Sequence, residues 1–237
     1  MSRDALAVPF PVSGVLFDLD NTLFDRDVAF RKWAAAFVRA RLTLTNEGER
    51  VAALARLIAL DDRGYGAKPA MFAALKAAYP ALRPSVEDLV ATFYAQMRDY
   101  GTLDAGAARL LAALRRAGIP FGIVTNGTEH QMHKVRALGL DALTSCIFVS
   151  ALCGCRKPGA PIFLAAATHL DVDPAHVLFV GDNPEVDMWG ARNAGMRTAW
   201  LRRGQSWPAH VPASCVDLAI DALDDVLAMA RSRDEEA

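Results

Sequence analysis

The run Val15-Leu16-Phe17-Asp18-Leu19-Asp20-Asn21-Thr22-Leu23 brings two carboxylates and a hydroxyl to the end of an apolar stretch. Side chains alternate across a strand, so Asp18, Asp20 and Thr22 share one side for as long as the chain stays extended. Two carboxylates that close together repel unless positive charge sits between them. Mg²⁺ suits that place, because it takes oxygen ligands and commonly shares them with substrate phosphate. An Asp-x-Asp-x-Thr pattern at a strand end therefore predicts metal-assisted phosphoryl chemistry with an aspartate nucleophile. Alone, it is also what a strand, an Asn turn and a helix-capping Thr would look like.

Three more polar signals follow apolar runs. Ile123-Val124-Thr125-Asn126-Gly127 offers a hydroxyl and backbone N–H groups that could bind phosphate oxygens, or only a turn. Arg156-Lys157-Pro158 offers an ammonium to neutralise a transferring phosphoryl group, or only a helix start. Gly181-Asp182-Asn183-Pro184-Glu185-Val186-Asp187 crowds carboxylates into one turn. These would supply further oxygen ligands to the same cation, or cap the next helix.

The elements that must position these groups are legible in the apolar pattern. Strand-like runs lie at 12–19, 120–125, 145–150, 177–181 and 197–201. Residues 104–117 set Ala107, Leu110, Leu111 and Leu114 on one helical face before Gly118, and similar segments lie near 160–170 and 185–194. Alternating strands and helices predict an α/β fold, a Rossmann-like doubly wound parallel sheet with helices on both faces. Ligands on such sheets bind beyond the carboxyl ends of the strands, where all four polar signals fall.

Residues 27–98 read differently. Phe30, Trp33, Ala34, Phe37 and Val38 follow helical spacing, as do Val51, Leu54, Ala55 and Ile58, and then Val86, Leu89, Val90, Phe93, Tyr94 and Met97. Ser85 and Asp88 resemble a capping box. The segment is too long for a loop. It predicts an inserted all-α domain over 25–100, leaving the core at 1–24 and 101–237 and placed to close over the Asp pair.

In this order, Asp-x-Asp-x-Thr, Thr-Asn, Lys-Pro and Gly-Asp-x₄-Asp resemble the haloacid dehalogenase superfamily over residues 12–230. The phosphatase branch with a helical cap is the nearest in pattern, including members like N-acylneuraminate-9-phosphatase and the pyrimidine nucleotidases. The resemblance implies that Asp18 is the nucleophile, forming an aspartyl-phosphate, and that Asp20 is the general acid and base. It further implies Mg²⁺ held by the Asp18 carboxylate, the Asp20 carbonyl and Asp182, with Asp187 acting through the water shell or as a supporting acid. Thr125, the Asn126 N–H and Lys157 would grip the phosphoryl oxygens, and Thr22 would brace the Asp20 loop. Dehalogenases of the superfamily lack an acid at the position of Asp20, so its presence favours phosphate esters. A dehalogenase, a phosphoryl-transfer mutase and a non-catalytic binding module are the alternatives.

A net charge of −1 gives no global attraction to nucleic acid or an anionic membrane. The expected partner is a small phosphorylated metabolite, and the expected state is a cytoplasmic monomer or homodimer without a membrane segment. Cys153-x-Cys155 raises a soft metal or a redox pair, but no second pair or neighbouring histidine completes a zinc set. His130 and His133 stand one helical turn apart without a third ligand and read as solvated. Arg26 lies at the entrance to the helical insertion, and residues 61–68 form a glycine-containing loop whose Arg63, Tyr65 and Lys68 could meet the non-reacting part of a substrate or form an ordinary exposed turn. Residues 231–237 read as a solvated tail.

Overall fold

The computed structural model describes residues 10–228, so the expected tail lies outside the described residues. The chain divides into two compact units, one comprising the segments up to Phe24 and from Leu103 onward, the other Asp25–Thr102.

The first unit is built on a six-stranded sheet in the order β3-β2-β1-β4-β5-β6, with every pairing parallel. The strands are β1 (Gly14–Phe17), β2 (Phe121–Thr125), β3 (Ile147–Val149), β4 (Val177–Gly181), β5 (Arg197–Leu201) and β6 (Leu218–Ile220). β1, β2 and β4 are buried along their whole length, as continuous apolar runs in a sheet covered on both faces should be. β1 lies between β2 and β4, where connections leave in opposite directions and a crevice opens at the carboxyl edge. β6 has no counterpart among the sequence expectations, because three residues with an exposed Ala219 give too short a pattern.

Helix α5 (Ala105–Ala117) is capped by Asp104, whose carboxylate accepts from the N–H groups of Gly106 and Ala107, and ends at Gly118 with φ +68°. The expected helix at 185–194 is instead a π-turn over Pro184–Met188 running into a short α-helix, Trp189–Asn193. Phe163, on the helix Ala160–Leu170, meets Phe179 of β4 edge to face at 4.9 Å beneath the crevice.

The second unit is all helical: α1 (Arg26–Arg41), α2 (Glu47–Asp61), α3 (Lys68–Ala78) and α4 (Val86–Met97). Its core is aromatic. Trp33 stacks on Phe37 at 5.1 Å and meets Phe93 and Phe72 edge to face. Burying a side chain such as Phe72 contributes about 2–3 kcal/mol. The Ser85–Asp88 capping box is formed. α3 was not among the expected helical stripes. Arg26 makes a two-pronged pair with Asp61 at 2.5 and 2.6 Å, and Lys68 reaches the same carboxylate at 3.0 Å. All three are buried, so Lys68 belongs to this unit's interior and not to an exposed turn. Tyr65 is exposed, and Arg63 pairs with Asp27 at 3.3 Å.

Candidate active site

β1 stops at Phe17, and the Asp18 N–H donates to Val180 O of β4 at 2.9 Å, which fixes the first residue past the strand. The chain then turns. Asn21 takes φ +61°, a left-handed conformation that Asn tolerates better than most residues, and the N–H groups of Leu23 and Phe24 return to Leu19 O. The extension assumed for Asp18, Asp20 and Thr22 therefore ends early. Thr22 comes back toward Asp18 and donates to its Oδ2 at 3.3 Å, whereas Asp20 takes a different direction.

Lys157 Nζ lies between two carboxylates, 2.7 Å from Asp18 Oδ1 and 2.6 Å from Asp187 Oδ1. It is 2% exposed, in a chain where a lysine at that depth requires partners. Burial opposes its charge, but Asp18 and Asp187 outweigh that and hold its pKa above the ordinary value. Burial, opposed by Lys157 and reinforced by Asp187, raises the Asp18 carboxyl to about 7. Lys157 is held from behind by Asn126, whose side-chain amide donates to Lys157 O at 2.9 Å and accepts from Lys157 N at 3.0 Å. The Asn side chain thus orients the lysine, a part the sequence did not assign to it.

Asp187 reaches the site through the π-turn. Asn183 caps that turn by accepting from the N–H groups of Glu185 and Val186, and its own N–H donates to Asp187 Oδ2 at 3.1 Å. A Cβ on Gly181 would come to 2.5 Å of Asp187 Oδ2 and 2.6 Å of its Cγ, so the last residue of β4 must lack a side chain for Asp187 to fold over it. Trp200 Nε1 and Gln205 Nε2 both donate to Asp182 O, which anchors the start of the same turn.

Asp18, Asp182 and Asp187 each offer a carboxylate oxygen within 4.8 Å of the others, and all three are buried. Three hard oxygen donors without a His or Cys among them suit Mg²⁺ better than a soft or zinc-like ion. With one lysine against three carboxylates, the cluster has charge to spare for a divalent cation. Asp20 does not contribute its carboxylate to this group. Lys134 donates to both its oxygens, and Gln131 donates to Oδ2 at 3.0 Å. Gln131 also donates to Thr125 Oγ1 at 2.7 Å, and the Thr125 hydroxyl itself makes a long 3.5 Å contact to Asn126 O.

Gln131, Lys134 and Arg203 escaped the sequence reading. Gln131 and Lys134 stand at i and i+3 on α6 (His130–Ala137), on one face of the helix that follows Thr125-Asn126. That spacing is the signal the sequence offers for them, on the same helix as His130 and His133. The two imidazoles pack edge to face at 5.5 Å. Arg203 donates to Asn21 O at 2.9 Å, to Thr22 O at 3.2 Å and to Asp104 at 3.1 Å, clamping the turn after Asp18 from far along the chain. No local pattern announces it.

A family model for haloacid dehalogenase-like hydrolases matches residues 12–195, a span that includes all four motifs. The chain belongs to the haloacid dehalogenase-like hydrolase family. Within the family it is 31% identical over 207 residues to a glyceraldehyde 3-phosphate phosphatase of Methanopyrus kandleri, covering 82% of this chain and 85% of that one. It is 29% identical over 207 residues to an N-acetylmuramic acid 6-phosphate phosphatase of Pseudomonas aeruginosa, covering 85% and 87%. For other curated relatives the match spans about half their length or less, 42% and 55%. The fold is that of the HAD-hydrolase YfnB from Bacillus subtilis, solved bound to magnesium, with a TM-score of 0.73 at 22% identity over 94% of this chain and all of that one. Among the described residues no helix is long and apolar enough to cross a membrane.

Proposed function

We propose that this family member is a Mg²⁺-dependent phosphatase that hydrolyses a small phosphorylated metabolite through an aspartyl-phosphate on Asp18. The observation that carries the reading is the cluster of Asp18, Asp182 and Asp187 at the carboxyl edge of the sheet, with Lys157 bridging Asp18 and Asp187. Phosphoryl transfer asks for alignment and charge neutralisation, and this cluster supplies both.

In this mechanism Asp18 attacks phosphorus along the direction that Thr22 and Lys157 fix for its carboxylate. Lys157 shares its protons with the phosphoryl oxygens, held in register by the Asn126 amide. Thr125, accepting from Gln131, turns its own proton to a phosphoryl oxygen, and the Asn126 N–H adds a second donor. Asp20 gives a proton to the leaving oxygen and later removes one from the water that hydrolyses the acyl-phosphate. Lys134 and Gln131 are its positioning residues. Asp18, the Asp20 carbonyl, Asp182 and Asp187 would hold Mg²⁺, which would offset the negative charge that gathers on the phosphoryl group.

The helical unit, residues 25–102, acts as a cap that excludes water and selects the leaving group. The relatives' names point to phosphorylated sugars and sugar-derived acids, and nucleoside monophosphates remain in the same chemical class. The protein works in the cytoplasm. The test is phosphate release from a panel of glyceraldehyde 3-phosphate, N-acetylmuramic acid 6-phosphate, phosphoglycolate, nucleoside monophosphates and an aryl phosphate, with and without Mg²⁺. Metal-dependent release that vanishes in Asp18→Asn is the expected result. Release that persists in that variant, or none from any member, overturns the reading.

A further inference from the structure

All four cysteines are free. Cys146 and Cys215 are buried, and burial pushes the Cys146 thiol up to about 12, which leaves it inert as a nucleophile. Cys153 and Cys155 differ: Cys153 is exposed, and Cys155 is half-buried against the core. Cys153 is the last residue of the short helix α7 (Ser150–Cys153). In a continuing helix, residues two apart do not face each other. Gly154 ends the helix at φ +71°, and Cys155 Sγ comes to 3.3 Å of Cys153 Sγ. A Cβ on Gly154 would meet nothing within 4 Å, so glycine serves the backbone conformation there and not the space.

The pair sits between two anchors of the active site. On one side Gly127, next to Asn126, donates its N–H to Ser150 Oγ at 3.0 Å and accepts from Ala151 N at 3.1 Å. On the other side Lys157 follows Cys155 by two residues and bridges Asp18 and Asp187. A disulfide needs its sulfurs at about 2.05 Å, so closing the pair from 3.3 Å across a single intervening residue bears on the short segment held between these anchors.

We propose that Cys153 and Cys155 are a reversible dithiol–disulfide pair, closed by small-molecule disulfides, whose closure displaces the loop that carries Lys157. Cys153, as the thiolate, attacks one sulfur of the small disulfide; that S–S bond breaks and one small thiol leaves. Cys155 gives its proton to solvent and attacks Cys153 Sγ, forming the internal disulfide and releasing the second small thiol. The protein loses two electrons and the small disulfide gains them. Burial and the contact with Cys153 raise the Cys155 pKa, which suits Cys155 to the second step and exposed Cys153 to the first.

The effect on turnover rests on the phosphatase reading; disulfide formation does not. The whole chain is equilibrated in stepped ratios of oxidised to reduced glutathione, then alkylated and mapped by mass spectrometry, with kcat/KM for an aryl phosphate measured in parallel. We expect one internal disulfide in the peptide carrying Cys153 and Cys155, Cys146 and Cys215 unchanged, and full reversal by dithiothreitol. A loop shift at this position should lower kcat/KM by on the order of tenfold or more, while Cys153→Ser keeps its reduced-state activity at every ratio. The proposal is overturned if both thiols stay alkylatable at the most oxidising ratio, if only a glutathione adduct forms, or if the disulfide leaves kcat/KM unchanged. If the reduced protein hydrolyses no phosphate, the phosphatase reading fails on its own. The loop's effect on the carboxylate cluster is then read as the difference in Mg²⁺-induced Tm shift between reduced and oxidised chains, and equal shifts overturn it.

Discussion

Lys134 grips both carboxylate oxygens of Asp20, at 2.5 and 2.7 Å, and so turns the second aspartate of the motif away from the cluster that holds the first. Its Nζ also lies 5.4 Å over the ring of Phe24, at the end of the same turn. The two aspartates thereby acquire separate surroundings, as the proposed nucleophile and proton-transfer group require. Replacing Lys134 with Met should lower kcat by roughly ten- to a hundredfold, in the range of a lost acid–base contribution. KM should change little. Steady-state kinetics of the folded variant decide it, and an unchanged kcat would remove Lys134 from the mechanism.

The Asp18 carboxyl, raised above its unfolded value of 3.8 to about 7, links pH to stability. A group whose folded pKa is raised gives its full stabilisation below the unfolded value and loses it as pH climbs through the folded one. The metal-free protein should therefore lose stability between these two pH values on account of Asp18. The ionised form is the one that binds a cation, so the Mg²⁺-induced rise in Tm should be larger above pH 7 than well below it. Thermal melts across that window, with and without Mg²⁺, measure this; an equal shift throughout would contradict it.

Gly181→Ala places a methyl group against the Asp187 carboxylate. Displacing Asp187 frees Lys157 on one side, and misplacement of about 1 Å at a reacting centre can cost about a hundredfold. We expect phosphate release to fall by that order while far-ultraviolet circular dichroism stays as in the parent. Parent-level turnover would mean that the π-turn can shift without harm.

In the helical unit, Arg26→Met removes the two-pronged partner of the buried Asp61 and leaves it paired with Lys68. Removing one partner of a buried pair costs about 3–5 kcal/mol. Urea denaturation of the variant should show a lower midpoint, and a change under about 1 kcal/mol would assign the pair a smaller role.

The parts of this architecture that announce themselves locally were legible. Buried strands such as Val177–Gly181 read as apolar runs, and the Ser85–Asp88 cap could be read from four residues. The site aspartates, Thr125 and Lys157 could be named because each follows such a run. Contacts between distant segments could not: Gln131 meets Asp20, Asn126 holds the Lys157 backbone, and Arg203 reaches Asn21 only once the sheet is assembled. The π-turn at Pro184–Met188 was missed for a different reason, since an extra residue in a helical turn leaves the apolar pattern almost unaltered.

The clamp from Arg203 onto Asn21 and Thr22 also sets an order of events in time. β1 precedes both of its sheet neighbours, which begin at Phe121 and Val177, and its clamp lies beyond both. The helices of 25–102, whose contacts are local, can form while β1 still waits for a partner. A nascent chain that stops short of Arg203 carries Asp18 but not the brace on the turn that follows it, so that turn settles only after Arg203 has been made.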